Sequence, residues 1–307
     1  MKPLAVIGNV NVDLIMGPAA PWPQPGTEIL VDHSEIRVGG AAGNTALAWQ
    51  ASGTPFAAAA NLGSDHFGRW LADEFGSIAS RWAVCDGPTT LSVGITHPDG
   101  ERTFFTSPGH LPAFSFQDVV SSLDGEMLRG GYALLCGPFL TDALTRDYDR
   151  LFDWLDGLNV SVALDTGWPL DGWTEANCAA TLSWLRRSRL ALMNEIEVTR
   201  LTGKPDVEDA ARMLRAGMPA DAIVVVKRGR LGAIGLDASG TLHDVKAPQV
   251  EVIDTIGAGD VFNAGFLSAL AAGKLLGDCL KSGVAIASRA ISTHPRSYDL
   301  TLEQKRP

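Results

Sequence analysis

Five short apolar runs, separated by longer stretches of helical composition, constrain the fold of this 307-residue chain most strongly. The runs are residues 4–8, 132–136, 161–164, 190–193 and 222–227. Their length and their content of strand-forming residues are typical of strands that are buried on both faces of a sheet. Because strands that alternate with helices usually pair in parallel, we predict an α/β fold with a mostly parallel central sheet flanked by helices.

Three other segments alternate polar with apolar side chains, which is typical of strands with one solvent-exposed face: residues 28–38, 91–96 and 102–106. The last two are joined by His-Pro-Asp-Gly at 97–100, a sequence that favours a tight turn. We therefore predict a small antiparallel β-sheet that forms a lid separate from the central sheet. The lid is built from about 13–17, 28–38 and 91–106, within a single domain over residues 1–307.

Charge and hydropathy exclude several classes of partner. The net charge is −10, and a clustered basic face for nucleic acid is not expected at that charge. The apolar stretch at 261–273 is shorter than a membrane span and contains Asn263.

The four cysteines are far apart and form no Cys-x-x-Cys pair: Cys85, Cys136, Cys178 and Cys279. We expect buried, reduced thiols in a cytoplasmic protein rather than a zinc cage or a disulfide framework.

The most informative segment is Asp-Thr-Ile-Gly-Ala-Gly-Asp at 254–260, which a helix-like stretch at 261–272 follows. Its small residues are Gly257, Ala258 and Gly259. They let backbone N–H groups approach an anion closely, at the helix end that favours negative charge. Asp260 lies where it can accept a proton from a hydroxyl that attacks a phosphoryl group in this anion hole. The alternative is that the glycines only form a tight turn and that Asp260 only caps the helix.

A second glycine-rich segment, Gly-Gly-Ala-Ala-Gly-Asn at 39–44, precedes another helix-like stretch. Gly39 and Gly40 allow a close backbone approach, and Asn44 offers a donor and an acceptor to a polyhydroxyl ligand. The chain has no Gly-x-x-x-x-Gly-Lys-Ser/Thr, which argues against a Walker-type phosphate loop. Gly8 does not begin a Gly-x-Gly-x-x-Gly sequence, so a dinucleotide fold is disfavoured as well.

In this order and at this separation, the two glycine-rich segments resemble the two signatures of the ribokinase-like (PfkB) carbohydrate kinases. Three weaker features match the same family. They are the first-strand region with Asn11 and Asp13, the Asn-Glu-Ile-Glu at 194–197, and the strand and loop with Lys227 and Gly229. The resemblance covers nearly the whole chain and implies a Rossmann-like central sheet with a β lid.

The resemblance also implies roles for single residues. Those implied to bind the sugar are Asn11, Asp13, Gly39, Gly40 and Asn44, and those implied to lie near ATP are Asn194, Lys227, Gly229 and Thr255. Glu197 is implied to hold magnesium through water, and Asp254 lies where some members bind a monovalent cation, so potassium stays open. From the residues alone, 194–197 suits a plain helix start, and Lys227 suits either a phosphate contact or a solvated turn.

The implied activity is transfer of a phosphoryl group from ATP-magnesium to a primary alcohol of a sugar-like substrate, with Asp260 as the base. The implied assembly is a homodimer through the lid.

Ribokinases proper often carry a lysine where this chain has Ala41, which weakens the case for ribose. The lid segments hold no basic cluster apart from Arg37 and Arg102, so a neutral or mildly acidic sugar is favoured over a phosphorylated one. His110, beyond the second lid strand, is a candidate substrate contact.

Three alternatives stay open. A nucleoside substrate is one, because Trp22, Phe104 and Phe105 can stack on a base. A non-catalytic sugar-binding regulator on the same scaffold is another, although such a protein would lack the base and Asp260 is present. A Rossmann oxidoreductase would carry the dinucleotide fingerprint that this sequence lacks.

Overall fold

The computed structural model of the protein describes residues 1–98 and 101–298. In chain order its strands are β1 (Leu4–Ile7), β2 (Asn11–Gly17), β3 (His33–Gly39), β4 (Ala57–Ala59), β5 (Asn61–Gly63), β6 (Ala83–Cys85), β7 (Leu91–Thr96), β8 (Arg102–Thr106), β9 (Tyr132–Cys136), β10 (Ser161–Asp165), β11 (Leu190–Asn194), β12 (Ile223–Lys227), β13 (Ala233–Leu236) and β14 (Leu242–Val245). The five strands expected from apolar runs are β1, β9, β10, β11 and β12, each within one residue of its predicted bounds.

In chain order the helices are α1 (Ala41–Ala51), α2 (His66–Phe75), α3 (Phe116–Ser122), α4 (Gly125–Leu128), α5 (Asp142–Arg146), α6 (Tyr148–Gly157), α7 (Glu175–Leu185), α8 (Glu195–Thr202), α9 (Val207–Ala216), α10 (Ala258–Ala271) and α11 (Leu276–Ile291). Asp65, Thr174 and Asp206 cap α2, α7 and α9, because each side chain accepts a hydrogen bond from a backbone N–H of the first turn. No helix within 1–98 and 101–298 has the length and apolar content to span a bilayer.

The central sheet has eight strands in the order β14-β13-β12-β11-β10-β9-β1-β4. In this spatial order, the six strands from β12 to β4 are all parallel to their neighbours. β13 and β14 add two antiparallel strands at the other edge. The carboxyl ends of parallel strands meet along one edge of a sheet, where open α/β folds bind their ligands. Asp165, Asn194 and Lys227 end β10, β11 and β12 at this edge. The sheet therefore gathers polar side chains from distant parts of the sequence.

Apolar layers cover both faces of the central sheet, because successive strand residues point to opposite faces. Val6 belongs to the core cluster that contains Trp49 of α1 and Phe266 of α10. Its neighbour Ile7 belongs to the opposite cluster, which contains Phe152 of α6. Each fully buried side chain of this size contributes roughly 1.5 to 3 kcal/mol to folding. These layers hold α1 and α10, which carry the two glycine-rich segments, rigidly against the sheet.

The cysteines are all free thiols. Cys136 and Cys279 are buried, as predicted. The prediction of buried thiols is wrong for Cys85 and Cys178, which are partly exposed. Both residues lie outside the central sheet, Cys85 on β6 of a two-stranded sheet with β5 and Cys178 on α7.

A separate sheet of four strands has the order β3-β2-β7-β8. β2 pairs antiparallel with β3 but parallel with β7, so the prediction of a purely antiparallel sheet is wrong for that pairing. β3 begins at His33 rather than at residue 28, because its register partner Gly17 is the last residue of β2 and earlier residues have no strand to pair with. β7 and β8 pair antiparallel, and Asp99 and Gly100 of the predicted turn lie outside the described residues.

Candidate active site

The loop that precedes α10 forms a cradle of backbone amides. Gly257 has a φ of 74°, in the left-handed region that favours glycine, and it is the N-cap of α10. A Cβ on Gly257 would also lie 2.8 Å from the side-chain amide of Asn44. The chain can therefore reverse here only without a side chain. The N–H of Gly259 lies at the positive end of α10, next to the N–H of Ala258, which is bonded to the backbone oxygen of Thr255 at 3.2 Å.

Asp260 joins the two glycine-rich segments. It lies on the first turn of α10, and its Oδ2 accepts a hydrogen bond of 2.9 Å from Asn44 Nδ2 on α1. Thr45 Oγ1 donates to the backbone oxygen of Asp260 at 3.1 Å. The carboxylate is thus held by a side chain from another helix, which argues against the alternative that Asp260 only caps α10.

The electrostatic surroundings raise the pKa of Asp260 to about 7. Burial of the Asp260 carboxylate is the largest cause, and the nearby Asp165 carboxylate acts in the same direction. Lys227 and the hydrogen bond from Asn44 oppose the rise. A carboxylate whose pKa is close to the working pH is suited to accept and release a proton.

A buried cluster of charged groups lies directly behind the amide cradle. Lys227 Nζ is 2.6 Å from Asp165 Oδ2, and Asn263 Nδ2 donates to the same oxygen at 2.6 Å. The Lys227 side chain is only 13% exposed, which rules out the solvated turn that the sequence left open. A Cβ on Gly259 would lie 3.3 Å from Lys227 Nζ, so the ammonium group packs against the cradle.

Asp165 and Asn263 belong to the site although neither was predicted to. Asp165 directly follows an apolar strand run, at the sheet edge where ligands bind, so a signal for it was available. Asn263 was noted only as a polar interruption of an apolar stretch. It lies one turn after Asp260 on α10 and shares the buried face of that helix with the cradle.

Glu197 is buried at the start of α8. Its Oε2 accepts a hydrogen bond of 2.8 Å from the backbone N–H of Asn194, and Asn194 Oδ1 accepts one of 2.9 Å from the N–H of Glu197. This reciprocal capping box is the plain helix start that the sequence allowed. Burial raises the pKa of Glu197 to about 8, and the charge of Asp165 adds to the rise. Gly229, two residues beyond Lys227, is exposed in a short turn.

Residues from the small sheet form the opposite wall. Asn11 Nδ2 donates to Asp13 Oδ1 at 2.8 Å, and Asp13 is buried. Burial raises the pKa of Asp13 to about 6, although the charge of Arg37 opposes the rise. A Cβ on Gly39 would lie 2.1 Å from the Asp13 carboxylate, and Gly40 has a φ of 84°. The double glycine therefore brings the backbone at the start of α1 against this carboxylate.

His110 does not join these groups. Its Nδ1 accepts a hydrogen bond of 3.0 Å from the backbone N–H of Thr90, which leaves the proton on Nε2, 3.1 Å from the backbone oxygen of Val10. Burial lowers the pKa of His110 to about 4, so the ring is neutral. Because both ring nitrogens have backbone partners, His110 ties the chain between β1 and β2 to the start of β7 and has no nitrogen left for a substrate.

Asp254 and Thr255 contact arginine side chains. Asp254 Oδ2 accepts hydrogen bonds from Arg37 Nη1 at 2.5 Å and from Arg296 Nη2 at 2.7 Å, and Arg102 donates to Thr255 Oγ1. Arg37, Asp254 and Arg296 also line a cleft of about 430 Å³ between the small sheet and the loop before α10. Arg296, which follows α11, was not predicted to lie at the site because it carries no local sequence signal.

The chain matches a known protein family over nearly its whole length. The model of the family described as "pfkB family carbohydrate kinase" matches residues 1–301. A ribokinase of Arabidopsis thaliana is 24% identical over 302 residues, which cover 94% of this chain and 76% of that protein.

Two solved structures have the same fold. The ribokinase of Arabidopsis thaliana in complex with ribose and ATP has a TM-score of 0.77 at 24% identity, over 95% of this chain and 93% of that one. The adenosine kinase of Sinorhizobium meliloti has a TM-score of 0.80 at 20% identity, over 95% of this chain and 94% of that one. Because the family model matches nearly the whole length, the chain belongs to the pfkB family of carbohydrate kinases.

Proposed function

We propose that this kinase transfers the γ-phosphoryl group of ATP to a primary hydroxyl of a sugar or sugar-like substrate, with Asp260 as the general base. The observation that carries the proposal is the position of Asp260. It lies next to the amide cradle of Gly257 to Gly259, is bonded to Asn44 of the other signature, and has a pKa of about 7.

In the proposed reaction the substrate hydroxyl attacks the γ-phosphorus in line with the leaving oxygen. The new O–P bond forms as the bond to the bridging oxygen breaks, ADP leaves, and the hydroxyl proton moves to Asp260. The N–H of Gly259 and the ammonium group of Lys227 stabilise the charge on the transferred phosphoryl oxygens. Asn11 and Asp13 orient the substrate through its other hydroxyls, and the small sheet keeps water from competing with it.

Magnesium fits this site through water molecules. In residues 1–98 and 101–298, no group of three or more acidic, histidine or cysteine side chains is arranged to hold a metal ion directly. Mg²⁺ usually keeps several waters and takes its other ligands from the phosphates. Glu197 and Asn194 at the start of α8 would hold these waters. Burial is the largest cause of the raised pKa of Glu197, and the Asp165 carboxylate adds to it, so a divalent cation nearby would favour the ionised form of Glu197. The ion, when bound, neutralises charge on the phosphates.

The cleft favours a neutral substrate over a phosphorylated one. Phosphate recognition uses clustered basic side chains that are free to bind the ligand, whereas Arg37 and Arg296 are both bonded to Asp254 and Arg102 is bonded to Thr255. A nucleoside is the second candidate. Phe104 shares a sheet face with Asp13 and is 43% exposed, so it can stack on a base from the cleft side.

A coupled ADP-release screen over sugars, sugar acids and nucleosides tests the proposed function. We expect saturable turnover with a neutral or mildly acidic sugar, and no turnover with an analogue that lacks its primary hydroxyl, because no oxygen would then attack the γ-phosphorus. Phosphorus NMR of the product should identify the phosphorylated position. Turnover of nucleosides alone would favour the second candidate, and an absence of turnover in all three classes would contradict the proposal.

We also propose that the outer face of the small sheet forms a homodimer. The side chains of Ile36 and Phe105 alternate with those that face the cleft, and they are 54% and 56% exposed. Large apolar side chains that are exposed side by side on one face of a sheet are typical of a contact between subunits.

Charged substitutions on that face should separate the subunits. We expect Ile36→Lys combined with Phe105→Lys to sediment as a monomer, because two ammonium groups cannot be buried in an apolar contact without a partner. Met213→Lys on α9, where the native side chain is 52% exposed, is the matched control and should sediment as the wild type does. A wild-type protein that sediments as a monomer would refute the dimer.

A further inference from the structure

The Asp254 carboxylate, which begins the loop before α10, is held by two guanidinium groups. Arg37 Nη1 and Arg296 Nη2 donate to the same oxygen, Oδ2, at 2.5 and 2.7 Å. The other oxygen, Oδ1, accepts a hydrogen bond of 2.8 Å from the backbone N–H of Ile256. The two arginine side chains are only 16% and 14% exposed, so solvent screens these contacts less than it screens a surface ion pair.

We propose that Arg37 and Arg296 are positioning residues that hold the amide cradle through Asp254 and make a monovalent cation unnecessary. This inference rests on the proposed function, because it concerns the geometry of the same phosphoryl-transfer site. We call Arg37, Asp254 and Arg296 the arginine clamp.

The clamp reaches the cradle by a short path. Asp254 Oδ1 fixes the N–H of Ile256, and Gly257, the next residue, is the N-cap of α10. On the other side the N–H of Asp254 is bonded to the backbone oxygen of Ile291, the last residue of α11, at 3.2 Å. A rotation of the Asp254 side chain would therefore displace the peptide groups that precede the cradle.

The clamp also joins three distant parts of the chain. Arg37 belongs to β3 of the small sheet and is the register partner of Asp13, which faces the proposed substrate position. Arg296 comes from the segment after α11. Because the Asp254 carboxylate is bonded to both arginines, the position of the small sheet is linked to the position of the cradle. Closure of the sheet over a substrate would thus be transmitted to the amides that contact the phosphoryl group.

The residues present do not fit a monovalent cation at Asp254. Both carboxylate oxygens already accept hydrogen bonds, and Thr255 Oγ1 accepts one from Arg102. Two guanidinium groups are bonded to one carboxylate. Glu35, which is partly exposed, is 3.9 Å from Arg37, and the Asp13 carboxylate also interacts with both arginines. An added cation at Asp254 would therefore meet two like charges at close range, and each side-chain oxygen of Asp254 and Thr255 already accepts a hydrogen bond.

Substitution of the clamp arginines tests the positioning role. We expect Arg296→Met and Arg37→Met each to lower kcat by about 10- to 100-fold, because small displacements of a reacting group have effects of this size. The KM for ATP should change much less. Arg37→Lys should recover part of the loss, and Arg129→Met, which breaks an exposed pair with Glu126, should leave kcat unchanged.

A double-mutant cycle shows whether Arg37 acts through Asp254. If it does, Arg37→Met should have little further effect on kcat in a protein that already carries Asp254→Asn, so the two effects are not additive. Additive effects, or an unchanged kcat in Arg37→Met and Arg296→Met, would overturn the positioning role. The same cycle measured on thermal unfolding without substrate should show the same non-additivity. That readout needs no activity, so failure of the proposed function would leave this test intact.

The cation requirement is tested on the wild-type protein. We expect the same kcat in potassium, sodium and choline chloride at constant ionic strength, and the same thermal unfolding midpoint in all three salts without ligand. A ligand that binds only the folded state raises that midpoint, so a bound potassium ion would be detected even in the absence of turnover. A rise in kcat or in the midpoint that is specific to potassium would overturn the inference.

Discussion

Asp260→Asn is expected to lower kcat by about 100- to 10,000-fold, the range that a positioned general base contributes. The substituted amide has nearly the same size and can still accept the hydrogen bond from Asn44 Nδ2, so the fold and the cradle should survive. It cannot take a proton from the substrate hydroxyl. ATP affinity, measured by calorimetry, should be nearly unchanged, because the phosphates are expected to contact backbone amides and Lys227.

The control for this variant is Asp278→Asn on α11, whose carboxylate is exposed and 2.9 Å from Lys281. It removes the same charge from the same residue type without touching the cleft, so its kcat should match the wild type. An unchanged kcat in Asp260→Asn would show that the base lies elsewhere. A loss of ATP affinity as large as the loss of kcat would mean that Asp260 serves binding rather than proton transfer.

Local patterns account for the parts of the fold that could be predicted. Residues 132–136 and 190–193 are continuous apolar runs, and an apolar run of this length between helical stretches has few options other than a buried parallel strand. The segment at 254–260 was recognisable because the positive φ of Gly257 and its close approach to the Asn44 side chain both favour the absence of a side chain. Such a requirement leaves a glycine at a fixed place in the sequence, where it can be recognised.

Contacts between distant residues explain what could not be predicted. Asn263 and Asp165 are separated by 98 positions, and the packing of α10 against the end of β10 brings them within 2.6 Å. Arg296 follows a helix end without any motif, and its partner Asp254 lies 42 positions earlier. The side chain of His110 was expected to face a substrate, but a sequence does not show in which direction a loop side chain points.

Charge compensation in the buried cluster is the feature on which the site depends most. Asp165, Glu197 and Asp260 are three carboxylates around one ammonium group, that of Lys227. Burial alone would lower the pKa of Lys227, but Asp165 and Glu197 raise it above its ordinary value, so the ammonium group stays charged. The cluster nevertheless has more negative than positive charge, which adds to the effect of burial, the largest cause of the raised pKa values of Asp260 and Glu197.

Opposite substitutions in this cluster should shift the pH dependence in opposite directions. Asp165 raises the pKa of Asp260 and Lys227 lowers it. The base must be ionised to act, so kcat/KM falls on the acid side of this pKa. We expect the acid limb of the wild-type kcat/KM profile near pH 7, the pKa of Asp260, and we expect Asp165→Asn to move it to lower pH.

Lys227→Met should have the larger effect of the two. It leaves the buried Asp165 carboxylate without its cation, and loss of one partner of a buried ion pair costs about 3 to 5 kcal/mol in unfolding free energy. The acid limb should move to higher pH, and kcat at neutral pH should fall by about 100-fold or more, because the transferred phosphoryl group also loses a charged donor. Steady-state kinetics as a function of pH measure the effect on catalysis, and denaturant unfolding measures the effect on stability.

The double variant Lys227→Met with Asp165→Asn separates electrostatics from contact with the phosphoryl group. Removing both charges should restore most of the unfolding free energy, because no buried carboxylate is left unpaired at that position. The acid limb should return toward its wild-type position, whereas kcat should stay low, since the donor beside Gly259 is still absent. Lys246→Met, which breaks an exposed pair with Asp244, should change none of these quantities. Recovery of kcat together with stability would show that Lys227 serves the cluster alone and does not contact the phosphoryl group.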